Sequence, residues 1–217
     1  MVRGMSEKQA ESLRERKKRR TRQSIIDVAH ALFHEDGYDT TTVEAIAAGA
    51  DVSVRTFFRY FANKEEVALA PLDEMGELTL TALRRRPADE PPLTALRAAV
   101  LDAWTIMSPD GESLRHYTDH LLPIGNASAL AGAVQNRIVA LGDRFALEFV
   151  EGDDHDGPQP RRTDLDASLA AFAFLAAVQV AVRAWCASAS TDPADLVATA
   201  LICLDSLVIE RNPAHRA

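Results

Sequence analysis

Residues 41–66, TTVEAIAAGADVSVRTFFRYFANKEE, constrain this chain more than any other stretch. Thr41 and Glu44 stand at the spacing of a capping box, which predicts a helix with Thr41 as N-cap and Glu44 reaching back to it. Val43, Ile46 and Ala47 then share one helical face. Gly49-Ala50-Asp51 interrupts that helix, and Gly and Asp both tolerate the left-handed backbone that a sharp turn needs. Val52 is an apolar plug and Ser53 a fresh N-cap. From there a second helix carries Val54 to Phe61. Phe57 and Phe61, four apart, are expected to pack inward, leaving Val54, Arg55, Thr56, Arg59 and Tyr60 to point elsewhere. Two short helices joined by a tight turn make a helix-turn-helix, whose second helix offers its N-terminal residues to a major groove.

Charge sharpens this reading. The 217 residues carry a net −8, which taken whole argues against a polyanionic partner. The distribution of that charge argues the opposite. Residues 1–22 hold nine lysines and arginines against three glutamates, a net +6, so the remainder carries −14. A basic arm on an acidic body is the asymmetry expected where one end meets phosphate and the rest does not. Within that arm Lys17, Lys18, Arg19 and Arg20 are the densest run, lying just before the helical pair.

The remaining pattern is helical throughout. A first helix is expected over about residues 17–36, with Gly37 as its C-terminal cap. Asn63 can cap a fourth, running to about Arg86 with Pro71 inside it, where a bend is expected. The proline-rich stretch 87–92 reads as a linker. Further helices are expected over about 93–107, 112–122, 128–149, 164–188 and from Asp192-Pro193 onward, with an acidic loop at 151–162. That makes about nine helices in an all-α chain, divided into a basic arm over 1–22, a helix-turn-helix domain over 17–66 and a helical domain over 67–217. Residues 164–188 are apolar nearly all round, so they need burial on every side, and self-association of the last two helices supplies it.

No uninterrupted apolar run of 18 or more occurs, and the N-terminus is charged without an apolar signal core, so a cytoplasmic protein without a membrane role is expected. Cys186 and Cys203 lack CxxC spacing and read as small buried apolar residues, with a thiol sensor as the sharper alternative. No Ser-His-Asp, H-E-x-x-H, P-loop or G-x-G-x-x-G arrangement appears, which disfavours an enzyme.

The full string resembles the DNA-binding domain of the TetR (tetracycline repressor) family. That family pattern is F-x-x-x-G-[YF], then T-[TS]-[VI]-x-x-I-A, then V-S-x-x-T-[FL]-[YF]-x-[YH]-F-x-x-K-x-x-[LV]. It is matched by Phe33 to Gly37 and Tyr38, by Thr41-Thr42-Val43 with Ile46-Ala47, and by Val52-Ser53. The rest is matched by Thr56-Phe57-Phe58, Tyr60-Phe61, Lys64 and Val67. Two positions depart. Asp51 stands where the family usually has Gly, and Phe58 where Tyr is frequent, removing a hydroxyl that could reach a phosphate.

The resemblance implies a homodimer through the last two helices, a double-stranded DNA operator with pseudo-palindromic half-sites, and a small-molecule effector that releases it. It implies a repressor, and no metal site or resident cofactor is expected. Arg55, Thr56 and Arg59 are then expected at base edges or adjacent phosphates. Thr42, Ser53, Tyr60 and Lys64 are expected at phosphates, with Val54 on the same helix. Phe57, Phe58 and Phe61 are assigned to the core as readily as to contact. For the effector, candidates are Trp104, Met107, His116, Tyr117 and His120, with Gln179, Arg183 and Trp185. Gln179 and Arg183 are polar and four apart in an apolar helix, where they could meet a buried anion or amide, a dimer partner or a carboxylate such as Asp205. His116 and His120 could share a metal, but with no third ligand beside them a surface pair is expected. A redox- or metal-responsive sensor of the same fold, and a helical dimeric interaction module, are the alternatives.

Overall fold

Gly37 at φ 86° and Asp51 at φ 53° leave the right-handed side of backbone space, and each stands just past the end of a helix. The computed structural model describes residues 3–107, 128–150, 162–188 and 193–211, which are helices and short turns with no strand among the described residues. Contacts divide the chain into two units. The first holds the residues up to 70 together with 128–131 of the described chain, and the second holds the others.

In the first unit, α1 (Arg3–Glu35) is closed by Gly37, whose N–H donates to Phe33 O at 3.1 Å. This helix starts well before the expected residue 17. The basic run is therefore the exposed flank of a helix, not an arm leading into one. Next come α2 (Val43–Gly49) and α3 (Val54–Tyr60), then the start of α4 (Lys64–Leu83). Ile25, Ile26, Ala29 and Phe33 of α1 bury against Ile46, Ala47, Phe57, Phe61, Val67 and Leu130. Burying a side chain such as Phe57 contributes about 1.5–3 kcal/mol, which is how seven-residue helices too short to persist alone are held.

The N-cap of α2 is one residue later than the sequence predicts. Thr42, not Thr41, accepts from Ala45 N, at 3.1 Å. Thr41 is only 4% exposed, and its hydroxyl donates to Gly37 O at 2.8 Å. Glu44 then falls at the second helical position, short of the third position from which a capping box closes. Gly49 is required by proximity: a Cβ there would lie 2.7 Å from Val28 Cγ1 of α1. Asn63 does cap α4, accepting from Glu66 N at 2.8 Å, and the helix ends at Leu83, slightly before the expected Arg86.

The second unit contains the remainder of α4 with α5 (Pro92–Met107), α6 (Ser128–Leu147) from residue 132, α7 (Arg162–Ala187) and α8 (Pro193–Arg211). The expected helix at 112–122 lies outside the described residues, as does the loop at 151–162 except its last residue. Helices α7 and α8 pack along each other most extensively, and α5 packs on both. Alongside, Asp73–Arg137 at 2.8 Å and Glu77–Arg144 at 2.7 Å join α4 to α6, with Arg84–Glu148 at 2.6 Å just past their ends. The Arg144 hydrogen bond holds the Glu77 carboxyl below its usual range. These pairs are solvent-exposed, so they fix register more than they stabilise. Gly76 lies between the first two, where a Cβ would meet Leu141 Cδ1 at 2.9 Å. That contact makes Gly76 a seat for Leu141.

All-round burial of α7 is not achieved within one chain. Leu165, Leu169, Val180 and Phe172 are exposed on it, as is Ile202 on α8. Leu165–Trp185 is long and apolar enough by composition to cross a membrane, yet only 39% of that window is buried.

Candidate nucleic-acid interface

Helix α3 has two unlike sides. Phe57 and Phe61 point into the core, fully buried, while Val54 and Tyr60 are half-buried against it. Arg55, Phe58 and Arg59 are exposed. Their spacing of three and one puts them on one strip of the helix surface. The Arg59 guanidinium lies 5.2 Å from the centre of the Tyr60 ring, and Phe58 stands edge-on to Phe57 at 5.4 Å and 88°.

The start of this helix is fixed by Ser53, as the sequence predicts. Its Oγ accepts from Thr56 N at 3.1 Å and lies 2.9 Å from the Thr56 hydroxyl. Asp51 supplies the left-handed turn just before it, and Val52 N donates to Ala47 O at 2.9 Å, closing α2 against α3. Thr42 and Ser53 are both exposed, so each hydroxyl oxygen sits at a surface while capping its helix.

Lys64 is placed differently from its expected phosphate role. Its Nζ donates to Thr41 O at 2.8 Å and to Tyr38 O at 2.5 Å, with Asp39 O at 3.4 Å. It also lies 4.2 Å from the centre of the Tyr38 ring. An ammonium has three donors, and three carbonyls face this one. Partial burial pulls its pKa below the ordinary lysine value, against the opposing pull of Asp39. Burial, with Glu65 and Asp39 nearby, raises that of Tyr38. The geometry turns Lys64 toward the protein's own backbone.

Lys17, Lys18, Arg19 and Arg20 are all exposed on α1, and Arg16, Lys17, Arg19 and Arg20 line an open recess on its surface with Leu13 and Gln23. Arg22, at the core end of the run, lies 5.1 Å from the centre of the Phe61 ring. That contact ties the basic flank to the same core that holds α3.

The effector candidates are only partly brought together. Trp104 and Trp185 are both buried, on α5 and α7, which pack on each other. Met107 and Gln179 are half-buried, and Arg183 is exposed. Asp205, a possible partner for Arg183, is paired instead with Arg97 at 3.0 Å. His116, Tyr117 and His120 lie outside the described residues. Cys203 is a half-buried free thiol, and among the described residues no three metal-ligating side chains converge.

Residues 25–70, spanning the core of α1 through the first turns of α4, match the family model described as bacterial regulatory proteins, tetR family. That segment is a DNA-binding domain of the TetR type. The chain is 54% identical over 87 residues to the transcriptional regulator TcmR of Streptomyces glaucescens, 40% of this chain and 38% of that protein. It is 37% identical over 67 residues to the repressor KstR of Mycolicibacterium smegmatis, 31% of this chain and 30% of that one. The match thus spans under two-fifths of the length of these curated relatives. Over the whole length the likeness is one of fold. A SmeT–triclosan complex superposes with a TM-score of 0.58 at 24% identity, covering 88% of this chain and 90% of that one. SmeT, the repressor of the Stenotrophomonas maltophilia multidrug efflux pump SmeDEF, gives 0.55 at 23%, covering 87% and 89%.

Proposed function

We propose that this chain is a ligand-responsive transcriptional repressor that binds a pseudo-palindromic operator as a homodimer and is released by a small-molecule effector. The observation that carries the reading is the division of α3. Its core side is anchored by Phe57 and Phe61, while Arg55, Phe58 and Arg59 are presented outward beside a turn held by Asp51 and Ser53.

Arg55, Thr56 and Arg59 then meet base edges or adjacent phosphates, arginine being the best bidentate reader of guanine. Thr42, Ser53 and Tyr60 hold the backbone, and Lys17 to Arg20 supply salt-dependent affinity without sequence preference. Lys64 supports the turn behind them.

Two half-sites about one helical turn apart, roughly 34–36 Å, require two recognition helices related by a two-fold axis. The apolar residues left uncovered on α7 and α8 support self-association through those helices. Such a partner would bury the apolar length of α7 without a membrane, which supports a cytoplasmic protein.

The effector is proposed to bind in the helical domain, near Trp104, Met107 and Trp185, with Gln179, Arg183 and residues His116, Tyr117 and His120 as further candidates. The triclosan in the SmeT complex supports a small-molecule ligand for this chain as well. Release requires that the ligand prefer the DNA-incompetent dimer, and its differential affinity sets how far the equilibrium moves. Helix α4 is continuous from Lys64 to Leu83 and is the proposed carrier of that movement.

Arg55→Ala tests the reading. It is expected to weaken operator binding about 10- to 100-fold, as loss of a bidentate base contact does, while the dimer stays intact. Unchanged affinity would take Arg55 out of the interface.

A further inference from the structure

Resting on the repressor reading above, we infer that Phe58 is a specificity-determining residue that reads a thymine methyl group in each half-site. The run Phe57-Phe58, with Phe61 one turn on, is uniform in chemistry but not in position. Phe57 and Phe61 are buried, whereas Phe58 is 53% exposed. It sits between two exposed arginines, three residues after Arg55 and one before Arg59, on the strip that faces away from the core. Its ring is held edge-on against the buried Phe57 ring at 5.4 Å, so its direction is set by a rigid neighbour.

A phenyl ring can neither donate nor accept a hydrogen bond, and it gains nothing from a phosphate oxygen. Among the major-groove edges of the bases, which are lined with donors and acceptors, the C5-methyl of thymine is the apolar group that projects into the groove. A ring flanked by two guanine-reading side chains and pressed into that groove has this methyl as its matching surface. Were it placed against any other edge, the ring would strip water from a donor or acceptor and replace it with nothing, a cost that itself discriminates against the wrong base. The strip therefore recognises guanine through Arg55 and Arg59 and thymine through Phe58.

Deoxyuridine differs from thymidine by that methyl alone, so it isolates the contact. The operator is first recovered by enrichment from random duplex DNA, and each thymine is then replaced by deoxyuridine, symmetrically in the two half-sites. Wild-type protein is expected to lose about fourfold in affinity per half-site at one position, as burial of one methyl implies, and close to the background at the others. Phe58→Ala, at an exposed position that leaves the core intact, is expected to bind the thymine and uracil duplexes equally. Phe58→Leu, which keeps an apolar tip, is expected to retain part of the preference. If every replacement is neutral for the wild type, or if Phe58→Ala keeps the full thymine preference, the inference is wrong and the repressor reading stands. If no sequence is enriched at all, both fall together.

Discussion

The Lys64 ammonium donates to the backbone carbonyl of Tyr38 and lies 4.2 Å from the centre of the same residue's ring. With Thr41 O as a second strong acceptor, this one side chain at the head of α4 braces the turn between α1 and α2. A phosphate contact and a brace make different predictions. Lys64→Met is expected to destabilise the protein by about 1–3 kcal/mol, because it leaves carbonyls without a charged donor. Operator affinity should fall with it, while the slope of affinity against salt stays unchanged. Loss of a phosphate contact would instead lower that slope by about one. A salt titration of both proteins separates the two.

Gly49 sets helix propensity against packing. In a helix, Gly→Ala ordinarily stabilises by up to about 1 kcal/mol. Here the new Cβ would lie 2.7 Å from Val28 Cγ1, a methyl on a stiff β-branched side chain that cannot swing aside. Gly49→Ala is therefore expected to destabilise by about 1–3 kcal/mol. Adding Val28→Ala should recover part of that loss. At Gly76 the obstructing atom is the flexible end of Leu141, so Gly76→Ala should cost less. Thermal melts of these variants against the wild type give the order.

Asp51 occupies a left-handed position at φ 53° beside the recognition helix. Asp51→Gly removes the steric strain and a carboxylate facing a polyanion, so operator affinity is expected to rise a few-fold with stability kept. Asp51→Val should lose about 1–2 kcal/mol, since a β-branched residue resists that backbone. Weaker binding by Asp51→Gly would mean that the carboxylate itself contacts a base.

Leu169 and Ile202 are 62% and 67% exposed on α7 and α8. Placing a charge on either, as Leu169→Glu or Ile202→Glu, is expected to yield a helical monomer by sedimentation with much reduced operator affinity. A dimer that survives both changes would place the two-fold axis elsewhere.

How far these features are legible in the sequence depends on what distinguishes them. The turn is readable because Gly37, Asp51 and Ser53 each have a conformational or capping role that few residue types share. The N-cap of α2 falls one position from its expected place because Thr41 and Thr42 are chemically alike, and only the burial of Thr41 decides between them. Phe57, Phe58 and Phe61 look equivalent as letters; a helix exposes one of them only once a core exists to hide the others. The bonds from Lys64 to residues 38 and 41, and the Glu77–Arg144 pair, join positions more than twenty residues apart, where no local pattern operates. The extension of the first helix back to Arg3 is hidden by charge, because a run of like charges reads as an arm whether or not it is helical.

Enrichment of random duplex DNA by the purified protein at near-physiological salt tests the central claim most directly. The account predicts a pseudo-palindrome whose half-sites contain guanine and thymine and lie about one helical turn apart, roughly 34–36 Å between centres. Recovery of no sequence, with binding that disappears as salt rises, would contradict it: the basic flank of α1 would then bind charge alone, and α3 would not be a recognition helix.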